Sequence, residues 1–266
     1  MYAFAYHQPT SLKEAVSLLS GEDAKLVAGG HTLIPTMKQR LAAPGTLIDL
    51  GKVPDLVGIE RSPRSITIGA MTTHGAVAES NDVKEAIPAL AELAALIGDP
   101  AVRHRGTIGG SVANNDPAAD YPAACLALGA TISTNKRKLT AEEFFTGLFE
   151  TALEEGEIVT GVSFPIPHKA AYEKFRNPAS RYALVGVFVA KRPSDIRVTV
   201  TGSGSNGVFR WTEAEEALGK RFAAKSLEGM SPSASGLNSD IHADAAYRAH
   251  LIGVMARRAV QKAADR

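Results

Sequence analysis

The stretch LVAGGHTLIP, residues 26–35, sets two adjacent glycines directly after a short apolar run, and TIGGSVANND, residues 107–116, repeats the design. Glycine enters the left-handed region of backbone space without steric cost and lets a ligand approach the main chain with no Cβ between. Such a pair is either a tight turn at a strand end or a cradle whose walls are peptide N–H groups facing an anion. A hydroxyl residue follows each pair, Thr32 in one case and Ser111 in the other. Two loops of this kind brought face to face aim several N–H groups and two hydroxyls at one anionic centre. That arrangement suits a pyrophosphate between two sugars, so a dinucleotide is a better ligand than a mononucleotide. Neither pair belongs to G-x-G-x-x-G or G-x-x-x-x-G-K-[ST], so a Rossmann or P-loop cradle is not indicated.

Composition narrows the chemistry further. With 266 residues, 45% of them hydrophobic, the chain can bury a real core in one large or two modest domains. Lysine plus arginine (29) nearly cancel aspartate plus glutamate (28), so no global field recruits nucleic acid or an acidic membrane. Cys125 is the only cysteine, which excludes an internal disulfide, an iron–sulfur cluster ligated by this chain alone and a multi-thiolate zinc site. Any electron carrier here is organic or sits on another chain. The absence of a basic region followed by an apolar core at residues 1–9, and of any long apolar run, predicts a cytoplasmic protein without membrane insertion.

The pattern along the chain predicts an α/β opening. A helix is expected over 11–20 from the Ser11/Glu14 capping box, then a strand at 25–28, a short helix broken by Pro35 and a strand at 46–50. A hairpin follows with strands at 56–60 and 65–70, then one buried helix over 84–97 despite Pro88. Residues 118–128 are expected to be helical and 130–134 and 157–164 extended, with a boundary at about 166–170. Beyond it come strands at 172–176, 184–191 and 196–201, then helices at 212–218 and after Asp240, the pattern of an α+β unit. Ser231 to Ser239 reads as a surface loop.

Individual side chains sort against this frame. Asp116 suits the N-cap of the helix near 118, whereas Asp120, four residues on, can accept hydrogen bonds from ribose hydroxyls. The seven histidines lack paired metal spacing, and His31, inside the first pair's loop, offers its backbone N–H. Ser203 and Ser205 lack the context of a nucleophile elbow and read as a turn. Arg103, His104 and Arg105 suit either phosphate attraction, partner docking or a solvated loop; Trp211 suits core or interface; Cys125 reads as buried and inert.

Residues 28–42, AGGHTLIPTMKQRLA, followed by 107–124, TIGGSVANNDPAADYPAA, resemble the FAD-binding medium subunit of the molybdenum hydroxylases, the carbon monoxide dehydrogenase and xanthine dehydrogenase family. DAAYRAHLIGVMARRAV, residues 244–260, is similar to that family's C-terminal helix, so the resemblance spans essentially the whole chain. It implies an α+β protein. Residues 1–167 would form a vanillyl-alcohol-oxidase-type (PCMH-like) FAD-binding domain of two α/β subdomains, about 1–55 and 56–167. Residues 168–266 would form a C-terminal α+β domain with a three-stranded antiparallel sheet and helices.

The resemblance also implies site residues. Ala28, Gly29, Gly30, His31 and Thr32, continuing into Leu33, and Thr107, Ile108, Gly109, Gly110 and Ser111 would hold the pyrophosphate, with Asn115 and Asp116 behind the second segment. Asp120 would take the ribose or adenine end, Ile97 and Ile158 would line the cofactor or else pack in the core, and Lys174 and Tyr182 would lie near the isoalloxazine. Thr32 stands where serine is commoner, which keeps the hydroxyl, and the cysteines of relatives that carry an extra cluster are missing.

The function implied is electron transfer. FAD would receive electrons from two [2Fe–2S] clusters on a small subunit and pass them to NAD, quinone or oxygen, while a large subunit with the molybdenum cofactor oxidises the substrate. The assembly would be a dimer of heterotrimers. Two other classes compete: a self-sufficient FAD-dependent oxidoreductase acting on a small molecule, which needs its own pocket and base, and a scaffold that binds no cofactor.

Overall fold

The computed structural model describes residues 1–266 and contains three principal sheets. The first is parallel, with Thr46–Asp49 central between Ala5–His7 and Ala24–Val27. Helix Leu12–Leu19 connects the outer two. Ser11 Oγ accepts from the Glu14 N–H at 3.2 Å, while the Glu14 carboxylate reaches back to the Thr10 N–H at 2.9 Å, one residue earlier than a reciprocal capping box requires. Its apolar face, Leu12, Ala15 and Val16, packs on Ile48, Leu50, Val53 and Leu56. Strand Ala5–His7 escaped the sequence reading because it is short and exposed throughout, with no alternation to reveal it.

The second sheet is antiparallel, in the order Ile59–Arg61, Ser65–Gly69, Val159–Pro165, Thr131–Thr134, Lys138–Thr140. Ile66, Ile68, Val162 and Phe164 on one face share a core with Leu90, Leu93, Ile108 and Val112 from the covering helices. The helix expected over 84–97 is two, Asn81–Ala86 and Pro88–Ala95. Pro88 has no N–H to continue the first and starts the second, and Ile87 between them leaves helical geometry at φ −141°, ψ 73°. Helices His74–Glu79, Pro100–Arg105 and Ile108–Asn114 were not foreseen; each has only six or seven residues, too short for a clear period.

The third sheet is antiparallel, Lys169–Arg176, Ala183–Lys191, Ile196–Thr201 and Phe209–Arg210, the last a short fourth strand added to the expected three. Strand Ala183–Lys191 is buried at every position but its last. Val185, Val187 and Val189 face the long helix Ala245–Ala264 through Ile252 and Met255, together with Trp211, which is therefore a core residue. Phe188 and Ala190, with Tyr172 from the neighbouring strand, point the other way into the core of the second sheet. Side chains alternating between two faces make this sheet the middle layer of the molecule. It binds helix Tyr121–Leu128, directly after the second glycine segment, to the C-terminal region. No helix is long and apolar enough to cross a membrane.

Candidate functional site

The chain leaves strand Ala24–Val27 through Gly30 at φ +75° and enters helix Leu33–Lys38. The helix takes its first hydrogen bonds from carbonyls of this turn: Ile34 N–H to Gly30 at 3.1 Å and Thr36 N–H to Thr32 at 3.2 Å. The N–H groups of Ala28, Gly29, Gly30, His31, Thr32 and Leu33 donate to nothing in the chain. Successive unpaired amides on a turn are an anion nest. The sequence places glycine where bulk would close it.

The second pair is built differently. Thr107 is the N-cap of helix Ile108–Asn114, its Oγ1 accepting from the Gly110 N–H at 3.1 Å. Ile108 N–H donates to Thr72 at 3.1 Å, Gly109 N–H to Ala70 at 2.8 Å and Ser111 N–H to Thr107 at 3.0 Å. These amides are consumed by the fold, which corrects the expectation of two equivalent open loops. A Cβ on Gly109 would lie 2.5 Å from the Ala70 Cβ, so this glycine lets the helix meet the end of strand Ser65–Gly69.

The two segments meet. A Cβ on Gly29 would be 2.5 Å from the Arg105 carbonyl oxygen and 2.7 Å from the Gly106 Cα, and one on Gly110 would be 3.5 Å from the Ala28 Cβ. The first segment thus supplies free donors, and the second a rigid wall against them.

Asn115 and Asp116 have structural duties. Asn115 ends the helix in the left-handed region at φ 42°, and its Nδ2 donates to Gly147 at 2.9 Å and Glu150 at 2.8 Å, clasping the hairpin of Phe145–Gly147 and Glu150–Thr151. Both of its amide protons are thereby engaged within the chain. Asp116 Oδ1 accepts from the Ala118 N–H at 2.8 Å, a turn rather than the expected N-cap, since the helix begins at Tyr121. Burial pushes the Asp116 carboxyl up.

A second group of residues converges beyond this turn. Asp120 is buried with one oxygen accepting from the Tyr172 hydroxyl and the other from Lys174 Nζ at 2.8 Å. Burial pushes its carboxyl up against the opposing pull of Lys174 and Tyr172. Lys174 also reaches the Leu96 carbonyl at 3.3 Å, next to Ile97, whose own carbonyl receives Arg103 Nη1 at 3.0 Å. Tyr182 stands 50% exposed, and its phenol is pushed up by partial burial and by the charges of Asp116 and Asp120.

The sequence reading put Asp120 at the adenine or ribose end and Lys174 and Tyr182 at the isoalloxazine, yet Asp120 and Lys174 form one ion pair. Opposite ends are excluded, and both Asp120 oxygens already have donors. Ile158 is 1% exposed among Ile48, Val53 and Leu56, which is core packing. Arg103 braces the loop at Ile97–Gly98 instead of facing solvent. Ser203 is buried and donates to Leu184, and burial pushes the Cys125 thiol up. Tyr172 was missed as a site residue; its partner lies on a different domain-sized segment, with no local signal joining them.

An amide nest walled by a glycine helix suits an anionic ligand, in a protein of α+β class. Residues 2–167 match the family described as FAD binding domain in molybdopterin dehydrogenase, and residues 170–263 match the CO dehydrogenase flavoprotein C-terminal domain. The chain belongs to the FAD-binding medium subunits of the molybdenum hydroxylases, an oxidoreductase family, and its cofactor is FAD. It is 37% identical to the carbon monoxide dehydrogenase medium chain of Afipia carboxidovorans over 99% of this chain and 98% of that one. It is 35% identical to the nicotine 6-hydroxylase medium subunit of Paenarthrobacter nicotinovorans, again covering 99% and 98%. Among solved structures it superposes on quinoline 2-oxidoreductase from Pseudomonas putida 86 with a TM-score of 0.88 at 30% identity, covering 99% of this chain and 98% of that one. Reconstituted CO dehydrogenase from Oligotropha carboxidovorans gives 0.87 at 36% identity, covering 98% of each chain.

Proposed function

We propose that this chain is the electron-transfer subunit of a heterotrimeric molybdenum hydroxylase, working between [2Fe–2S] clusters on a small partner subunit and an external acceptor such as NAD, quinone or oxygen. A large partner subunit carries the molybdenum cofactor and the organic substrate, and the trimer is doubled. The relatives support this reading: they are medium chains of multi-subunit dehydrogenases and hydroxylases with different substrates, matched over nearly their full length. Medium chains shared among enzymes with differently named substrates favour substrate choice on another chain.

The single observation that carries the assignment of the site is the run of unpaired amides from Ala28 to Leu33 in contact with the Gly110 segment. Those amides bind the FAD diphosphate, and the capped helix behind them holds their positions. Ile97 and Tyr182 supply apolar surface for the ring, and the buried Asp120–Lys174 pair, closed by Tyr172, holds the segments that carry them. When bound, FAD supplies a centre that exchanges electrons singly or in pairs.

Co-expression with the partner subunits tests this reading. The chain is expected to copurify in a complex containing flavin, iron–sulfur clusters and molybdenum, and the chain alone is expected to bind FAD without oxidising any organic substrate. Turnover of an organic substrate by the isolated chain would overturn the subunit assignment in favour of a self-sufficient oxidoreductase.

A further inference from the structure

Behind the cradle lies a histidine that nothing above employs. His74 opens helix His74–Glu79, its N–H donating to the Gly106 carbonyl at 2.9 Å, and Thr73 pairs with Thr107 in an isolated bridge. Its imidazole is buried, and a Cβ on Gly106 would lie 2.6 Å from Nε2. Gly106 is therefore sandwiched between the His74 ring and Gly29 of the amide nest. On the other side the ring lies 5.4 Å from that of Tyr121. His74 Nδ1 and the Tyr121 hydroxyl are two of only four buried side-chain polar atoms without a partner, and they sit on neighbouring rings. Buried polar atoms are normally satisfied, so such a pairing calls for a cause.

The surrounding charges supply one. The groups that act on His74 are His31 in the first loop and Arg103 on helix Pro100–Arg105, both cationic when charged, and burial together with them pushes the imidazole down to about 4. Tyr121, on helix Tyr121–Leu128, stays protonated, its hydroxyl pushed up by burial and by Asp120 and Cys125. On the other packed helices, Glu85 pairs with Arg61, Glu92 with Lys262 and Arg266, and Lys84 with the Glu79 carbonyl, while Glu79 and Asp82 lie on the outer side. His104 and Arg105, on the same helix as Arg103, are exposed. No carboxylate of the chain balances His74. A diphosphate held in the Ala28–Leu33 nest would stand across Gly106 from it.

We propose that His74, backed by Tyr121, is the protonation-linked support of the cofactor cradle, taking up a proton from solvent as FAD binds. The inference rests on the diphosphate lying in the Ala28–Leu33 nest. Without FAD the buried ring is neutral and its Nδ1 has no partner; with the diphosphate present, both nitrogens hold protons and the ring becomes a cation. Sign follows directly. Proton uptake on binding makes affinity rise as pH falls between the bound-state and free-state midpoints, and leaves it flat above both.

Calorimetric titration of the flavin-depleted full chain with FAD, from about pH 7.5 to about pH 5.5 in buffers of differing ionisation enthalpy, reads this directly. Wild-type protein is expected to bind roughly tenfold tighter at the lower pH if the bound histidine returns to its ordinary range. His74→Gln is expected to bind with no pH slope, and His31→Gln to keep the slope. An unchanged slope in His74→Gln, or its loss in His31→Gln, overturns the proposal. Should His74→Gln fail to fold, nitrogen-15 histidine spectra of the wild type serve instead: His74 must titrate at higher pH with FAD than without, and an unmoved midpoint is equally fatal. Riboflavin, which lacks phosphate, separates the two layers. Equal binding of riboflavin and FAD defeats the cradle itself, whereas phosphate-dependent but pH-independent binding defeats only the role of His74.

Discussion

The two glycine pairs share a dipeptide, an apolar approach and a following hydroxyl residue, yet they do opposite things with their amides. Around Gly29-Gly30 the N–H groups are left open over consecutive residues, whereas around Gly109-Gly110 each is bonded to Thr72, Ala70 or Thr107. The difference traces to the residue before each motif. Thr107 precedes its pair by two positions and caps a helix with its hydroxyl, so the chain coils at once; Val27, at the matching position, has no hydroxyl to cap with, and Gly30 turns through positive φ. Glycine doublets therefore mark close approach, and the destination of the amides decides whether what approaches is a ligand or the protein itself.

Substitutions can break this contrast. Gly109→Ala drives a Cβ into Ala70 backbone and side chain and is expected to cost about 3 kcal/mol of stability, measured by urea unfolding of the flavin-free chain. Gly110→Val crowds the Thr107 hydroxyl, 3.0 Å from the added Cβ, and reaches towards Ala28; FAD affinity is expected to fall about a hundredfold, near 2.7 kcal/mol, with a stability loss near the ~1 kcal/mol of the cap, smaller than in Gly109→Ala. If Gly110→Val unfolds the chain while Gly109→Ala spares it, the division of labour is reversed. Gly30→Ala places a side chain at φ +75° and is expected to cost about 1–2 kcal/mol, with weaker FAD binding, because the strain sits in the nest. Thr107→Ala removes a cap worth about 1 kcal/mol, which Thr107→Ser should restore, with FAD affinity changing less than in Gly30→Ala.

The sequence made some of this legible. Helix 11–20, the strand entering Gly29 and the valine-rich strand Ala183–Lys191 follow from local spacing and capping alone, and the glycine pairs mark where two distant segments meet. What stayed hidden was set by partners distant in the chain. Asp120 and Lys174 are 54 residues apart, and nothing near either one indicates an ion pair. Asn115 looked like a turn former beside a ligand because its grip on Gly147 and Glu150 depends on a hairpin thirty-odd residues later. The helical state of Gly109-Gly110 was within reach, since a threonine two positions ahead is an N-cap signal, but low helix propensity of adjacent glycines argued the other way.

The amides of Ala28 to Leu33 can be watched individually. Nitrogen-15 proton correlation spectra of the flavin-depleted chain, titrated with FAD and separately with riboflavin, report on each one. The account predicts large shifts at Gly29, Gly30, His31 and Thr32 with FAD but not with riboflavin, while Ile97 and Tyr182 respond to both and the Gly109 amide, already bonded to Ala70, moves little. Shifts concentrated at Gly109 and Ser111, with the first loop silent, would contradict it.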